Sequence, residues 1–255
     1  MSFYDLDKDE RIKVVAKITS EIQSDLETSS TKKILVYFSD EDSYIRKTAY
    51  QAIGRIYLSH KKLQPVIINL LDALFLSENE KIRQTVINAA GEIGMSDFPP
   101  IVKLMEQGLF DVHHSVRNAV IGSIKKMGQR NPKPTLAFAH RYLHHDNFEI
   151  RREICHGIEL RGRTHPQDIL PMLKELQFDK KPRVRNTLIH VIGQIAYKKG
   201  CLATVIEDLK TWENKELVKE ALAEIIDVHY RYRNFSVLTQ QEAIDYIERN
   251  YNHLK

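Results

Sequence analysis

Histidine is the residue type whose spacing first suggests chemistry in this chain. Seven of its 11 histidines, His113, His114, His140, His144, His145, His156 and His165, fall between residues 113 and 165. Imidazole ligates divalent metals and carries protons near neutral pH, so such density calls for a metal or acid–base reading. His140 and His144 share a helical face at i and i+4, yet no HExxH frame and no neighbouring carboxylate completes a ligand set. No metal and no cofactor is therefore expected. Cys155 directly precedes His156, and adjacent side chains on a helix diverge, which argues against a thiol nucleophile activated by that imidazole. The chain has no Walker loop, no GxGxxG and no GxSxG. Binding, not catalysis, is the expectation.

Arginine gives the second pattern. Arg46, Arg83, Arg117, Arg151 and Arg185, continued by Lys219, are separated by 37 residues and then four times by 34. Each of the five arginines follows a hydrophobic residue and opens an amphipathic run, as in HDNFEIRREICHGIEL around Arg151. Equal intervals of this size mark stacked helical repeats, in which each unit covers its apolar face only by packing on its neighbour. The period therefore predicts one elongated domain over residues 1–255, with a cap helix in 1–27, repeats in 28–232 and a second cap in 233–255.

Two helices fit in each repeat. Apolar segments before each turn, such as 63–76, 99–109, 134–143, 166–176 and 202–209, read as the first, or A, helices. Pro65, Pro99, Pro134 and Pro166 stand at or near four of their starts, where the first-turn amide has no intrahelical partner to lose. The B helices run through the arginines. Counted from each arginine, positions −1, +3, +7 and +10 read Ile45, Ala49, Ile53 and Ile56 in the first copy. They read Ile82, Val86, Ala90 and Ile93 in the second, Val116, Val120, Ile124 and Met127 in the third, and Val184, Leu188, Ile192 and Ile195 in the fifth. Steps of four, four and three keep them on one helical face, which is therefore the buried one. In the first helix, Ile12, Val15, Ile18 and Ile22 are expected on one side. Ser29, Ser30 or Thr31 is expected to cap the second helix, and Thr239 the last.

Position +1 lies about 200° around the helix from −1 and faces away from the core. It holds Lys47, Gln84, Asn118, Arg152, Asn186 and Glu220, and position +5 holds Gln51, Asn88, Gly122, His156, His190 and Glu224. The first five copies present amides, histidine, lysine and arginine without a carboxylate. In the fourth copy the apolar +10 slot is taken by Arg161, followed by Gly162 and Arg163. Residues 140–199 carry 12 Lys and Arg against 7 Asp and Glu, a net +5 within a chain whose total is +4. Lys47, Gln51, Gln84, Asn88, Asn118, Arg152, His156, Arg161, Arg163, Asn186 and His190 are thus the candidate contacts to a partner. Guanidinium and amide groups suit phosphate or a polar backbone.

The repeats resemble HEAT repeats. In that family an Asp in the turn and an Arg six residues later form a hydrogen-bonded ladder along the stack, and Asp40 with Arg46, Asp111 with Arg117, and Asp179 with Arg185 keep that spacing. Ser77, His145 and Glu213 stand at the equivalent place in the other copies. The resemblance covers about residues 28–232. It implies an all-α, right-handed α-solenoid of about six two-helix repeats, with the B helices lining a concave surface. It also implies that the repeating arginines are structural. Iron-binding hydroxylases built from such repeats carry His-Glu dipeptides, and this sequence has none.

A more distant resemblance is to the HEAT-like alkylpurine DNA glycosylases. Arg152 matches their phosphate-contacting arginine, which implies DNA as one candidate ligand. Their lesion-binding tryptophans and catalytic aspartate are not matched: Trp212 is the single tryptophan and lies in the acidic sixth copy, His190 stands where one family tryptophan would, and VHHSVR replaces the aspartate segment. The first reading is therefore a non-catalytic scaffold for a protein or nucleic acid, and the alternative is a DNA-binding relative or glycosylase. Two cysteines outside any CxxC suggest a reducing compartment, and no signal peptide or membrane-length apolar run is visible. A cytoplasmic monomer is expected.

Overall fold

The computed structural model describes residues 3–251. Among these residues the regular structure is helical throughout, and contacts divide the chain into two compact units that meet at Asn131 and Pro132.

The first unit opens with α1 (Lys8–Glu27), followed by three A/B pairs: α2 (Lys32–Phe38) with α3 (Ser43–Ser59), α4 (Gln64–Phe75) with α5 (Glu80–Gly94), and α6 (Val102–Leu109) with α7 (His114–Arg130). Asp7 caps α1 in a reciprocal box with Glu10, satisfying orphan first-turn amides. Only the C-terminal half of α1 is buried, through Ile18, Ile22 and Leu26, so Ile12 is 58% exposed and not part of the expected face. The cap of α2 also differs from expectation. Thr31 makes no side-chain cap bond, and the amides of Lys33 and Ile34 donate to the Asp25 carboxylate at 2.7 and 3.1 Å. A carboxylate reaching across the turn from α1 does the work of the local hydroxyl.

The expected B-helix core is buried throughout the first three copies except at Ile45, which is half-exposed. B helices of successive repeats pack directly on one another. Glycine at +8 permits it. A Cβ on Gly54 would sit 2.6 Å from Cβ of Glu92, and one on Gly91 would sit 2.7 Å from Cβ of Ser123.

The second unit holds three more pairs and a final cap. They are α8 (Pro132–Tyr142) with α9 (Phe148–Gly157) and the single turn α10 (Glu159–Gly162), then α11 (Leu170–Glu175) with α12 (Pro182–Ala196), then α13 (Cys201–Lys210) with α14 (Lys215–Arg231). The cap is α15 (Gln240–Asn250). It starts at Thr239 as expected, in a capping box with Glu242, and lies against α14 with Ala243 and Ile247 buried. Residues 252–255 of the expected cap lie outside the described residues. In this unit the fourth B helix is interrupted at Ile158, and Glu159 occupies the +8 slot that is glycine in the first, second and fifth copies. Among the described residues no helix is long and apolar enough to cross a membrane.

Candidate binding face and a histidine cluster

The repeating arginines brace their turns, as the HEAT resemblance implies, and Arg83 and Arg151 also reach the aspartate of the next repeat. Nε and Nη2 of Arg83 donate to the two Asp111 carboxylate oxygens at 2.7 and 3.1 Å, while Nη1 donates to the Ser77 and Glu78 carbonyls at 2.8 and 3.0 Å. Arg151 repeats this in the second unit, with Asp179 at 2.6 and 3.1 Å and the His145 and Asp146 carbonyls at 2.7 and 3.0 Å. Each arginine thus ties its own turn to the aspartate of the next. Burial alone would raise the Asp111 and Asp179 carboxyls, but hydrogen bonds from the arginine and from a turn amide outweigh it and hold both below their ordinary value.

In the first unit, Lys47 and Asn118 are exposed and Gln51, Gln84 and Asn88 are half-exposed, so none of these stripe residues is buried. Lys47, Gln84 and Asn88 line one open cavity of 290 Å³ between α3 and α5. Ser43, Tyr44, Arg46, Tyr50 and Thr85 complete it, without a carboxylate. The Lys47 ammonium lies 6.0 Å from the Tyr44 ring and the Lys126 ammonium 5.2 Å from the Tyr50 ring. Gln51 and Asn118 are not among the cavity residues.

The second unit differs, because Arg152, Arg161 and Arg163 are met by carboxylates from outside the +1 and +5 positions. Arg152 donates from Nε to Glu149 at 2.8 Å and lies 3.7 Å from buried Glu153, and the same Glu149 accepts from Arg183 at 2.6 Å. Arg161, the cation in an apolar slot, is paired with Asp168 at 2.6 Å. Arg163 donates to Glu159 and, at 2.7 Å, to Gln194. Asn186 is exposed and borders a cavity that also touches Glu216 and Glu220.

His156 and His190 come together, which their separation in sequence conceals. Their rings lie 6.0 Å apart, edge to face, and Nε2 of His156 is 3.1 Å from Glu159. Burial pushes His190 below its ordinary value. The other histidine pair has a carboxylate as well: His140 and His144 face the two oxygens of Glu175 at 3.1 and 2.7 Å. The sequence reading found no such carboxylate because Glu175 arrives from the next A helix. Glu149, Glu159 and Glu175 are the residues that sequence reasoning missed. The charge at +8 does not mark the break at Ile158, because Lys125 and Asp227 hold the same slot in the unbroken α7 and α14. Cys155 is fully buried, and burial pushes its thiol up, away from the thiolate form.

Paired helices, buried B-helix stripes and Arg–Asp rungs define a HEAT-type α-solenoid fold. Among solved structures the chain is similar to AlkD2 from Streptococcus mutans, at 15% identity and a TM-score of 0.53, over 80% of this chain and 97% of that one. The smu.31 protein of Streptococcus mutans UA159 aligns at 16% identity with a TM-score of 0.47, over 80% and 97%. Kap95p, from its complex with RanGDP, aligns at 15% with a TM-score of 0.46, over 78% of this chain and 30% of Kap95p. The AlkD2 likeness is one of fold. No family model matches the sequence, and no curated protein matches it.

Proposed function

We propose that this chain is a non-catalytic binding protein that holds an extended polypeptide along its B helices, principally at α3 and α5. The observation that carries this reading is the carboxylate-free cavity lined by Tyr44, Lys47, Tyr50, Gln84 and Asn88. Gln84 and Asn88 each donate to a backbone carbonyl, at 3.4 and 3.0 Å, and a primary amide has a second N–H and an oxygen, the hydrogen-bonding complement of a peptide group. Tyrosine adds rigid contact area with a polar tip. Gln51 and Asn118 extend the same polar face along α3 and α7.

Phosphate binding draws on cations that counterions can leave. The arginines expected to supply it, Arg152, Arg161 and Arg163, are each engaged by a protein carboxylate, so a nucleic acid would have to displace those partners. Base excision finds little support either. Asp111 is held by Arg83, and Trp212 is fully buried with its indole N–H on Asp208.

Selection of peptides from a displayed random library against the full chain tests the proposal. Binders should lose about 10-fold or more in affinity to a Tyr50→Ala, Gln84→Ala, Asn88→Ala variant. Duplex DNA binding that weakens steeply with salt and disappears in an Arg152→Ala, Arg161→Ala, Arg163→Ala variant would establish the nucleic-acid reading instead. Release of alkylated bases would then identify a glycosylase.

A further inference from the structure

We propose that His156, Glu159 and His190 form a binding site for one divalent first-row transition metal, with zinc the best-matched ion. This goes beyond the polypeptide reading and does not depend on it.

The three residues offer two imidazole nitrogens and a carboxylate oxygen whose ligand atoms all lie within 4.8 Å of one another. Zinc bonds such donors at about 2.0–2.2 Å, which places tetrahedral ligand atoms about 3.3 Å apart. His156 and Glu159 already meet this at 3.1 Å. The remaining closure is roughly 1–1.5 Å, within reach of χ rotation of half-exposed rings. The elements suit a clip: His156 lies in the last turn of α9, Glu159 begins α10 across the break, and His190 comes from α12.

The surroundings also fit. A ligating carboxylate is normally fixed by a partner on its other oxygen, and Arg163, itself hydrogen-bonded to Gln194, holds Oε1 of the buried Glu159. A ligating imidazole normally has an acceptor near its far nitrogen. Nδ1 of His190 lies 3.8 Å from Glu224 Oε1, longer than a hydrogen bond, so a small ring movement would be needed for Glu224, which also accepts from Arg231, to fill that role. The His156 and His190 side chains are 33% and 42% exposed, so an ion can enter and keep water or a partner's ligand on its open side. Buried Nε2 of Gln194 and Nε of Arg163 have no hydrogen-bond acceptor among the described residues, so the network is not closed on itself.

The test uses the full chain, stripped with chelator and titrated with Zn²⁺ by calorimetry, then with Co²⁺ followed by visible absorption. One equivalent should bind. His156→Ala, His190→Ala and Glu159→Gln should each weaken it about 10-fold or more, and the Co²⁺ bands should vanish with the same changes. His140→Ala, His144→Ala should leave both readouts intact. Thermal melts of the metal-free variants identify any that fail to fold, and Glu159→Gln, nearly isosteric, then decides. No Zn²⁺ binding at micromolar concentration, binding unchanged in the triad variants, or binding lost in the His140, His144 variant would each overturn the proposal. Peptide capture is a separate readout, so its failure leaves the zinc result standing.

Discussion

The B helices of the two units start from one repeat pattern and arrive at different surfaces. In the first unit Gly54 and Gly91 let α3, α5 and α7 close on one another, and the solvent side carries amides and tyrosines around a cavity without a carboxylate. In the second unit Glu159 replaces the +8 glycine, the fourth B helix breaks at Ile158, and Arg152, His156 and Arg163 are tied to glutamates. Close approach at +8 occurs in both units, since a Cβ on Gly193 would lie 2.7 Å from the Glu224 side chain, whereas the fourth copy places the buried Glu159 there. At the first surface Gln84 and Asn88 donate to backbone carbonyls, and at the second Arg152 and Arg163 are tied to carboxylates.

What the units share should cost the most to remove. Arg83→Ala leaves Asp111, whose side chain is 6% exposed, as a buried charge without its guanidinium, and Arg151→Ala does the same to Asp179 at 5%. Removing one partner of a buried pair costs about 3–5 kcal/mol. Urea denaturation should show losses of that order for both, and matching losses would confirm that the rungs are equivalent. A loss below about 1 kcal/mol in either, the range of exposed pairs, would break the equivalence.

The close helix contact at +8 comes next. Gly91→Ala directs a Cβ into Ser123, with Cβ 2.7 Å and Cα 3.2 Å away. Overpacking of this kind costs about 1–3 kcal/mol, partly offset by the helix propensity of alanine, worth about 1 kcal/mol. A net loss in the same denaturation assay is expected. A gain would show that α5 and α7 are not in close contact at this point.

The repeat period and the apolar face carried the fold in plain view: Val184, Leu188, Ile192 and Ile195 are all fully buried where four-four-three spacing put them. The ladder was legible for the same reason, since Asp179 and Arg185 recur at fixed offsets. The candidate site was less so. Reading only +1 and +5 made residues 140–199 look like an open cationic stripe, because partners came from elsewhere: Glu149 from one turn earlier, Glu159 from beyond a helix break, Glu175 from another helix. His156 and His190 are 34 residues apart, one repeat, so their meeting needs the stacking geometry and not only the helical one. Asp25 capping α2 is a case of the same kind, a contact across a turn where sequence favours the nearest hydroxyl.

Acid should probe the second unit through its histidines. Burial lowers His190 and His229 below the ordinary value of 6.5, His229 with its Nδ1–H on the Ile225 carbonyl. Because the unfolded chain binds these protons more readily, their contribution to stability is complete above about pH 6.5 and is lost as pH falls toward the folded values. The urea midpoint should therefore fall between pH 7.5 and 5, and His229→Leu should flatten that dependence. The lowered carboxyls of Asp111 and Asp179 act in a separate window below their ordinary value of 3.8. A midpoint that rises on acidification to pH 5 would contradict the buried placement of these rings.

The smallest effect tests whether the outward stripe of the first unit is truly open. Gly122 holds position +5 in α7, and a Cβ there meets nothing within 4 Å. With no clash to relieve, Gly122→Ala should act through the unfolded chain and helix propensity, stabilising by about 0.5–1 kcal/mol. The sign opposes that of Gly91→Ala although both replace a glycine inside a B helix of one unit. Opposite signs would place +8 against a neighbour and +5 against solvent, which is the division between packing and binding positions that the proposed peptide face requires. If both glycines destabilise on substitution, position +5 is not open and the binding face must be sought on other residues.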